Sequence, residues 1–149
     1  RGSSGYMAKV GRWEDRKVGD KPRERKKSLR HFRDLEVYQI AFANAMNIYQ
    51  LTKNFPTDEK YSLVDQIRRS SRSVCSNLAE GWRKRRYPAA FKNKLTDSMQ
   101  EASETQCWFE FSLSCGYIRK DIFDKLDTEY ESVQSMLNVM EKSSDKFCY

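Results

Sequence analysis

The sequence predicts an all-α fold, an antiparallel up-down four-helix bundle at residues 34–149. Apolar residues recur at three- and four-residue steps in four successive segments, as the buried face of a helix requires. The chain has only three prolines and six glycines, so few positions interrupt a helix. The links between the segments are short, and short links favour helices that alternate in direction around one core.

Residues 1–33 are predicted to be a basic N-terminal arm without a fold of its own. Residues 1–5 have the composition of an expression-tag remnant, and Met7 is interpreted as the native start. Residues 9–33 are rich in lysine and arginine and have almost no apolar periodicity. Such a segment cannot bury enough apolar surface to offset the entropy that it would lose on folding.

The first helix is predicted between Asp34, a residue type that caps helices, and the Phe55-Pro56 pair. One apolar stripe is expected to face the core, and it consists of Leu35, Tyr38, Phe42, Ala45 and Tyr49. A second apolar set lies roughly on the opposite side and consists of Val37, Ile40, Ile48 and Leu51.

The second helix is predicted to be capped by Thr57 or Asp58, and Gly81 is expected to end or bend it. Its apolar side consists of Leu63, Val64, Ile67, Ser71, Val74 and Leu78. Its other side carries Asp65 and three arginines, so the helix is amphipathic.

The third helix is predicted to begin at Pro88, which suits a first helical turn, and to end near Gly116, which suits a C-cap. Its main stripe consists of Phe91, Leu95, Met99, Ala102, Phe109 and Leu113. Asp121 opens the fourth helix, whose apolar face consists of Ile122, Leu126, Val133, Leu137 and Met140. Its end is expected to fray through the tail that is rich in lysine and serine.

The first and third helices carry more apolar surface than one core needs. The third helix adds Trp108, Phe111 and Cys115 opposite its main stripe. Large apolar patches usually mark interfaces, so we predict self-association through these two helices. The alternative is a broad, deeply buried central helix.

Residues for catalysis, metal binding or membrane insertion are not arranged as those functions require. His31 is the single histidine and lies in the arm, which excludes a Ser/His/Asp or Cys/His arrangement within the bundle. The four cysteines lack ligand spacing and are interpreted as reduced, small buried groups. No apolar run approaches the roughly 18 residues that span a bilayer. We therefore predict a cytoplasmic protein without enzymatic activity, metal, cofactor or membrane partner.

Positive charge is concentrated in two blocks. Residues 1–33 hold twelve Lys/Arg and four Asp/Glu, residues 68–94 hold nine and one, and both remaining segments are net acidic. Like charges at helical spacing repel one another, so stability does not explain the second block. A polyanion would explain it, and we predict nucleic acid, RNA or DNA, as the partner. The predicted contacts are Arg68, Arg69, Arg72, Arg83, Lys84, Arg85, Arg86, Lys92 and Lys94.

Trp82 and Tyr87 flank this run and could stack on unpaired bases. They could equally be core residues at the helix ends. A solvated surface, an anionic lipid or an acidic protein would also be compatible with the basic block.

Asn77, Glu80 and Gly81 lie at the border of the apolar face of the second helix. We interpret them as a structural clasp between the second and third helices, because a polar group at such a border can bond a neighbouring helix. The alternative is contact with a ligand or nucleotide.

Four motifs resemble one known family, and they occur in its order: Phe32-Arg33-Asp34-Leu35-Glu36-Val37-Tyr38, Tyr49-Gln50-Leu51-Thr52-Lys53-Asn54-Phe55-Pro56, Gln66-Ile67-Arg68-Arg69-Ser70 and Ser76-Asn77-Leu78-Ala79-Glu80-Gly81. They are similar to the bacterial four-helix-bundle proteins encoded in intervening sequences of 23S ribosomal RNA genes. The similarity is clear over residues 32–120 and looser over the fourth helix. Two features depart from the family: Cys75 stands where relatives often carry proline or glycine, and the basic arm is atypical. The second helix is therefore expected to be straighter here.

The resemblance implies a homopentameric barrel with a basic surface. Relatives of the family include the accessory variability determinants of diversity-generating retroelements, which are pentameric bundles that bind nucleic acid and a reverse transcriptase. The leading hypothesis is therefore a non-catalytic, oligomeric nucleic-acid-binding accessory protein. The alternative is an oligomeric scaffold that recruits a protein such as a reverse transcriptase.

Overall fold

The computed structural model describes residues 29–149, and this part of the chain is all-α, with no strand. Its helices are α1 (Glu36–Thr52), α2 (Leu63–Arg83), α3 (Pro88–Ser114) and α4 (Lys120–Lys142). Single 3₁₀ turns at Phe32–Asp34, Thr57–Glu59 and Ser144–Lys146 precede α1, separate α1 from α2 and follow α4. The predictions for the arm up to residue 28 lie outside the described residues.

The four helices form a bundle around one apolar core. Each helix packs against the next one along the chain, and α1 also packs against α4. The α2–α3 pair makes the most extensive contact. Side chains that are almost completely buried come from all four helices, and they include Ile48, Ile67, Leu78, Phe91, Phe109, Tyr130 and Leu137.

Aromatic contacts define the two ends of the bundle. At one end the link before α2 meets the link before α4, since the Phe55 and Tyr117 ring centroids are 5.2 Å apart. At the other end the segment after α4 meets the start of α3, where the Phe91 and Phe147 centroids are 6.1 Å apart. The link between α2 and α3 therefore lies at the same end of the bundle as the last described residues. We call this end of the bundle the link end.

The stripe predicted to face the core from the first helix is partly wrong. Val37, Ala41 and Ile48 are buried on α1, whereas Phe42 is 37% exposed and the Tyr38 ring stacks over it at 6.0 Å. The smaller side chains let α1 approach its neighbours closely, and the aromatic side chains remain at the edge. Leu35 and Ala45 of the predicted stripe are buried as expected, and Val37 and Ile48 of the set placed on the opposite side are buried as well.

Two predicted N-caps belong to 3₁₀ turns that precede the α-helices. The Asp34 carboxylate accepts hydrogen bonds from the amides of Arg30 and His31 at 3.1 and 2.9 Å, and α1 starts two residues later. Thr57 and Asp58 lie in the turn Thr57–Glu59, and α2 starts only at Leu63. Neither α-helix has a side-chain hydrogen bond at its N-cap, so packing determines where it starts.

The predicted boundaries of the third helix are confirmed. Pro88 is its first residue, and Gly116 has a φ of 76° just beyond its end. The amide of Tyr117 donates to the carbonyl of Ser112 at 2.9 Å, and the amide of Gly116 donates to that of Leu113 at 3.0 Å. These two bonds form the Schellman motif, which favours glycine because of its left-handed backbone conformation.

The end of α4 does not fray as expected. The turn Ser144–Lys146 follows it, and Phe147 and Cys148 pack against the core. The interpretation of the cysteines as buried groups is correct for Cys75 alone, because Cys107 and Cys115 are exposed and Cys148 is half-buried. None of the helices formed by residues 29–149 combines the length and the apolar character that crossing a membrane would demand.

Candidate nucleic-acid interface

The connection between α2 and α3 is a tight basic turn, which we call the basic link (residues 83–87). The amide of Lys84 donates to the carbonyl of Gly81 at 2.9 Å, and the amide of Tyr87 donates to that of Lys84 at 2.9 Å. The next residue, Pro88, already begins α3. The backbone of the link is therefore held between two helices, and its charged side chains project from a defined position.

Glu80 and Gly81 hold the two helices together beside the basic link. The Glu80 carboxylate accepts from the Lys94 ammonium of α3 at 2.6 Å, and this hydrogen bond raises the pKa of Lys94. A Cβ at Gly81 would lie 3.0 Å from the Cβ of Lys94, so glycine permits the close helix contact. Asn77 instead donates to the Ser73 carbonyl of its own helix at 2.9 Å. Of the proposed clasp, Glu80 and Gly81 join α2 to α3 and Asn77 does not.

Gly81 is expected from the sequence to end or bend α2, and the helix does not end there. The helix continues through Cys75 and Gly81 to Arg83. Gly81 is buried against α3, and because it has no side chain the two helices can pack closely at this position.

Arg68 is engaged with the end of α1. Its Nε donates to Thr52 Oγ1 at 2.9 Å, and its Nη2 donates to the Tyr49 carbonyl at 3.3 Å. The guanidinium also lies 4.8 Å from the centroid of the Tyr49 ring. Arg68 thus satisfies acceptors at a helix C-terminus, which is a structural use of its charge.

Arg69 is neutralised by two carboxylates of α3. Its Nη2 donates to both carboxylate oxygens of Glu104 at 2.9 Å, and Glu101 lies 3.6 Å from its Nη1. The hydrogen bond with Glu104 raises the pKa of Arg69. Burial, followed by a hydrogen bond with Glu104, raises the pKa of Glu101, while Arg69 acts in the opposite direction. A phosphate would have to compete with these carboxylates.

Trp82 is a core residue and is not available for stacking on a base. Its side chain is only 5% exposed, and the Arg85 guanidinium lies 3.6 Å from its ring centroid. Arg85 also donates from Nε to the Trp82 carbonyl at 2.8 Å. The stacking hypothesis for Trp82 is therefore corrected in favour of its alternative, because both burial and Arg85 cover the ring.

Five predicted cations remain exposed and have no ion pair within residues 29–149. Of these, Arg72 lies on α2 with its guanidinium 5.8 Å from the Tyr49 ring centroid, and the others lie in or near the basic link. The five are Arg72, Arg83, Lys84, Arg86 and Lys92. Tyr87, which is 62% exposed, directly follows Arg86 in the basic link. We call these five residues the free cations.

Tyr149 is a candidate residue that sequence reasoning missed. The Arg85 guanidinium lies 5.3 Å from its ring centroid, and the ring is 75% exposed. No local motif identifies it, because its position depends on the packing of the segment after α4 against α3. The structure therefore adds a second exposed tyrosine to the link end.

Metal-binding geometry is not formed by the described residues. Within residues 29–149, His, Cys, Asp and Glu side chains do not assemble in groups of three or more that could hold an ion.

Comparison with known proteins identifies a family and a similar solved structure. The family model described as 23S rRNA-intervening sequence protein matches residues 33–139. A crystal structure from Bacteroides thetaiotaomicron VPI-5482, described as a protein with unknown function from the S23 ribosomal protein family, is similar with a TM-score of 0.64 and 25% sequence identity. That similarity covers 71% of this chain and 95% of the other. No curated protein matches the chain.

Proposed function

From the premise that this chain belongs to the 23S rRNA-intervening sequence protein family, we propose that it is a non-catalytic, oligomeric, cytoplasmic accessory protein that binds nucleic acid. The resemblance found in the sequence is confirmed by the family match. A family defined by ribosomal RNA intervening sequences is consistent with a role connected to nucleic acid.

The observation that carries the proposal is that four of the free cations, Arg83, Lys84, Arg86 and Lys92, lie at or near the basic link. Arg83, Lys84 and Arg86 are exposed side chains on a turn that two helices hold in place. Exposed cations without carboxylate partners are available to phosphates, and each phosphate that they neutralise releases condensed counterions. Arg68, Arg69, Arg85 and Lys94 have intramolecular partners and support the site by holding its helices and side chains.

The charge of the rest of the bundle would direct a polyanion to this end. Residues 34–67 hold two Lys/Arg against five Asp/Glu, and residues 95–149 hold five against eleven. A polyanion is repelled by these segments and attracted by residues 68–94, so electrostatic steering favours the basic link.

We also propose that the four helices of each chain alternate up and down and that the protein self-associates. The expected assembly is a homopentamer. Its support is the apolar surface that the bundle leaves exposed. Phe42 lies at a groove of about 350 Å³ between α1 and α2. Trp108 and Phe111 form a second apolar patch on α3, with ring centroids 5.6 Å apart. Burial between copies would remove this surface from water.

The second candidate function is a scaffold that recruits a protein partner such as a reverse transcriptase. The same exposed patches favour it, because a heterologous partner could cover them. This function needs no contact between the free cations and phosphate, so the two candidates differ in what a salt titration of nucleic-acid binding would show.

The test is a salt titration of RNA and DNA binding by the triple variant Arg83→Ala, Lys84→Ala, Arg86→Ala. Arg85 is retained because it covers Trp82. The variant is expected to bind every RNA and DNA sequence more weakly, and the slope of log affinity against log salt should fall by roughly two to three units. Deletion of residues 7–30 is expected to cost less affinity.

A charge-matched control is the triple variant Lys53→Ala, Lys60→Ala, Arg119→Ala. These exposed residues lie at or near the two links of the opposite end. The control should keep the wild-type slope. Equal binding by the wild type and the basic-link variant would contradict the proposed site, and wild-type protein that binds neither RNA nor DNA would favour the scaffold.

A further inference from the structure

We propose that Tyr87 and Tyr149 stack on unpaired bases at the link end, so that the protein prefers single-stranded nucleic acid to duplex; this inference rests on the proposed function. It adds a substrate class to that function and assigns a site residue, Tyr149, that lies far from the basic link in sequence.

Tyr87 is presented by a fixed backbone. Its amide donates to the Lys84 carbonyl at 2.9 Å, and its carbonyl accepts from the Phe91 amide at 2.9 Å. The side chain is nevertheless 62% exposed, next to the free cation Arg86. An exposed ring on an ordered turn offers a stacking face at little cost in backbone entropy.

Tyr149 extends a stack that begins in the core. The Arg85 guanidinium lies 3.6 Å from the buried Trp82 ring centroid and 5.3 Å from the exposed Tyr149 ring centroid. The preceding chain is anchored, because Phe147 contacts Phe91 and the Cys148 amide donates to the Ser144 carbonyl at 3.0 Å. The ring of Tyr149 is thereby held at the end that carries Tyr87 and the basic link.

The combination of cations and exposed rings distinguishes one class of nucleic acid. Phosphates of a duplex and of a single strand would both satisfy the free cations. Inside a duplex the faces of paired bases are covered by their neighbours, so an exposed ring stacks more readily on bases that are unpaired. Since every base has an aromatic face, the preference should be for strandedness and should tolerate any sequence.

The test measures binding of the Tyr87→Ala, Tyr149→Ala double variant to a short single-stranded RNA that contains 2-aminopurine, and to the duplex of the same sequence. Affinity for the single strand should fall about 5- to 150-fold for each stacked base that is lost. The 2-aminopurine quenching that the wild type causes should also be lost. Affinity for the duplex should be unchanged.

Two controls match the double variant. Tyr87→Phe, Tyr149→Phe keeps both rings and should bind as the wild type does. Tyr61→Ala removes a tyrosine just before the N-terminus of α2, at the end of this helix away from the basic link. Its side chain is 84% exposed, and the Lys60 ammonium lies 5.3 Å from its ring centroid. The variant should leave binding to both nucleic acids unchanged.

The outcomes separate this inference from the proposed function. Undiminished single-strand binding by the double alanine variant, with loss in the Arg83, Lys84, Arg86 variant, would overturn stacking and leave the function in place. Equal losses on single strand and duplex would also overturn stacking, because the tyrosines would then not distinguish base faces. Normal binding by the cation variant would contradict the basic link as the binding site, and a wild type that binds neither nucleic acid would overturn the proposed function itself.

Discussion

Cys75 differs from the other cysteines in chemistry because it differs in burial. Cys75 lies on α2 and its side chain packs in the core of the bundle, where burial raises the pKa of its thiol to about 12. The thiolate is the reactive form, so a thiol with this pKa is almost entirely protonated near neutral pH. Cys107 and Cys115 are exposed on or next to α3.

We therefore predict that a disulfide reagent at pH 8 modifies Cys75 only after denaturation, later than Cys107, Cys115 and Cys148. Mass spectrometry of the labelled peptides assigns each site. A Cys75→Ser variant should have an unchanged fast phase. Rapid labelling of Cys75 in the native protein would contradict its burial.

Tyr130 carries a buried hydroxyl that has no hydrogen-bond partner among residues 29–149. The side chain is completely buried, packs edge-on against Phe109 at 5.3 Å, and burial strongly raises its pKa. An unsatisfied buried polar group costs about 1–3 kcal/mol, so Tyr130→Phe should not lower the free energy of unfolding and should raise it by about 1 kcal/mol.

The contrasting variant is Thr105→Val. The Thr105 hydroxyl donates to the Glu101 carbonyl at 2.9 Å and lies 2.8 Å from Ser70 Oγ. Loss of these bonds should lower the free energy of unfolding by about 1 kcal/mol. Urea denaturation at one fixed protein concentration measures both changes. Marked destabilisation by Tyr130→Phe would indicate that the hydroxyl has a partner.

At the level of elements, Gly81 determines how closely α2 approaches α3. Alanine would gain about 1 kcal/mol of helix propensity, whereas overpacking typically costs about 1–3 kcal/mol. The contact is with the Cβ of Lys94, which cannot rotate away, so a helix must shift. We predict that Gly81→Ala lowers the free energy of unfolding by about 1 kcal/mol, measured by urea denaturation.

Ser76 provides the control for propensity in the same helix, because it is exposed. Ser76→Ala should be more stable than Ser76→Gly by about 1 kcal/mol, the reverse of the order at position 81. If Gly81→Ala were more stable than the wild type, the close approach of α2 and α3 would not depend on glycine.

At the level of the whole molecule, the exposed apolar side chains predict an oligomer. Phe111 is exposed on α3 and contacts Trp108, whose buried indole nitrogen has no hydrogen-bond partner in the part of the chain that the structure describes. A carboxylate placed between copies would have to be desolvated, which is costly. We predict that the wild type is oligomeric at micromolar concentration and that Phe111→Asp lowers its mass, as measured by light scattering.

Tyr61→Asp is the matched control, since it introduces the same charge at an exposed aromatic position outside the proposed interface. It should retain the wild-type mass. A monomeric wild type would contradict self-association, whereas an oligomer insensitive to Phe111→Asp would place the interface away from this part of α3.

The sequence by itself determined the helical class, the family resemblance and the basic blocks. Periodicity, the prolyl start of α3 and the glycine after its end are local properties, because a helical turn relates residues only three or four apart. The start of α1 and its core-facing side were not determined locally, because apolar residues occupy two of its faces and packing selects between them.

Only the tertiary structure decided which cations are free. Arg69 meets Glu104, 35 positions away, and Arg68 meets Thr52, 16 positions away, whereas Arg83, Lys84 and Arg86 meet no carboxylate among the described residues. Tyr149 reaches Arg85 through the same kind of long-range packing. The sequence specifies where charge is concentrated along the chain, but the contacts that neutralise or expose a charge arise between helices, and no local spacing encodes them.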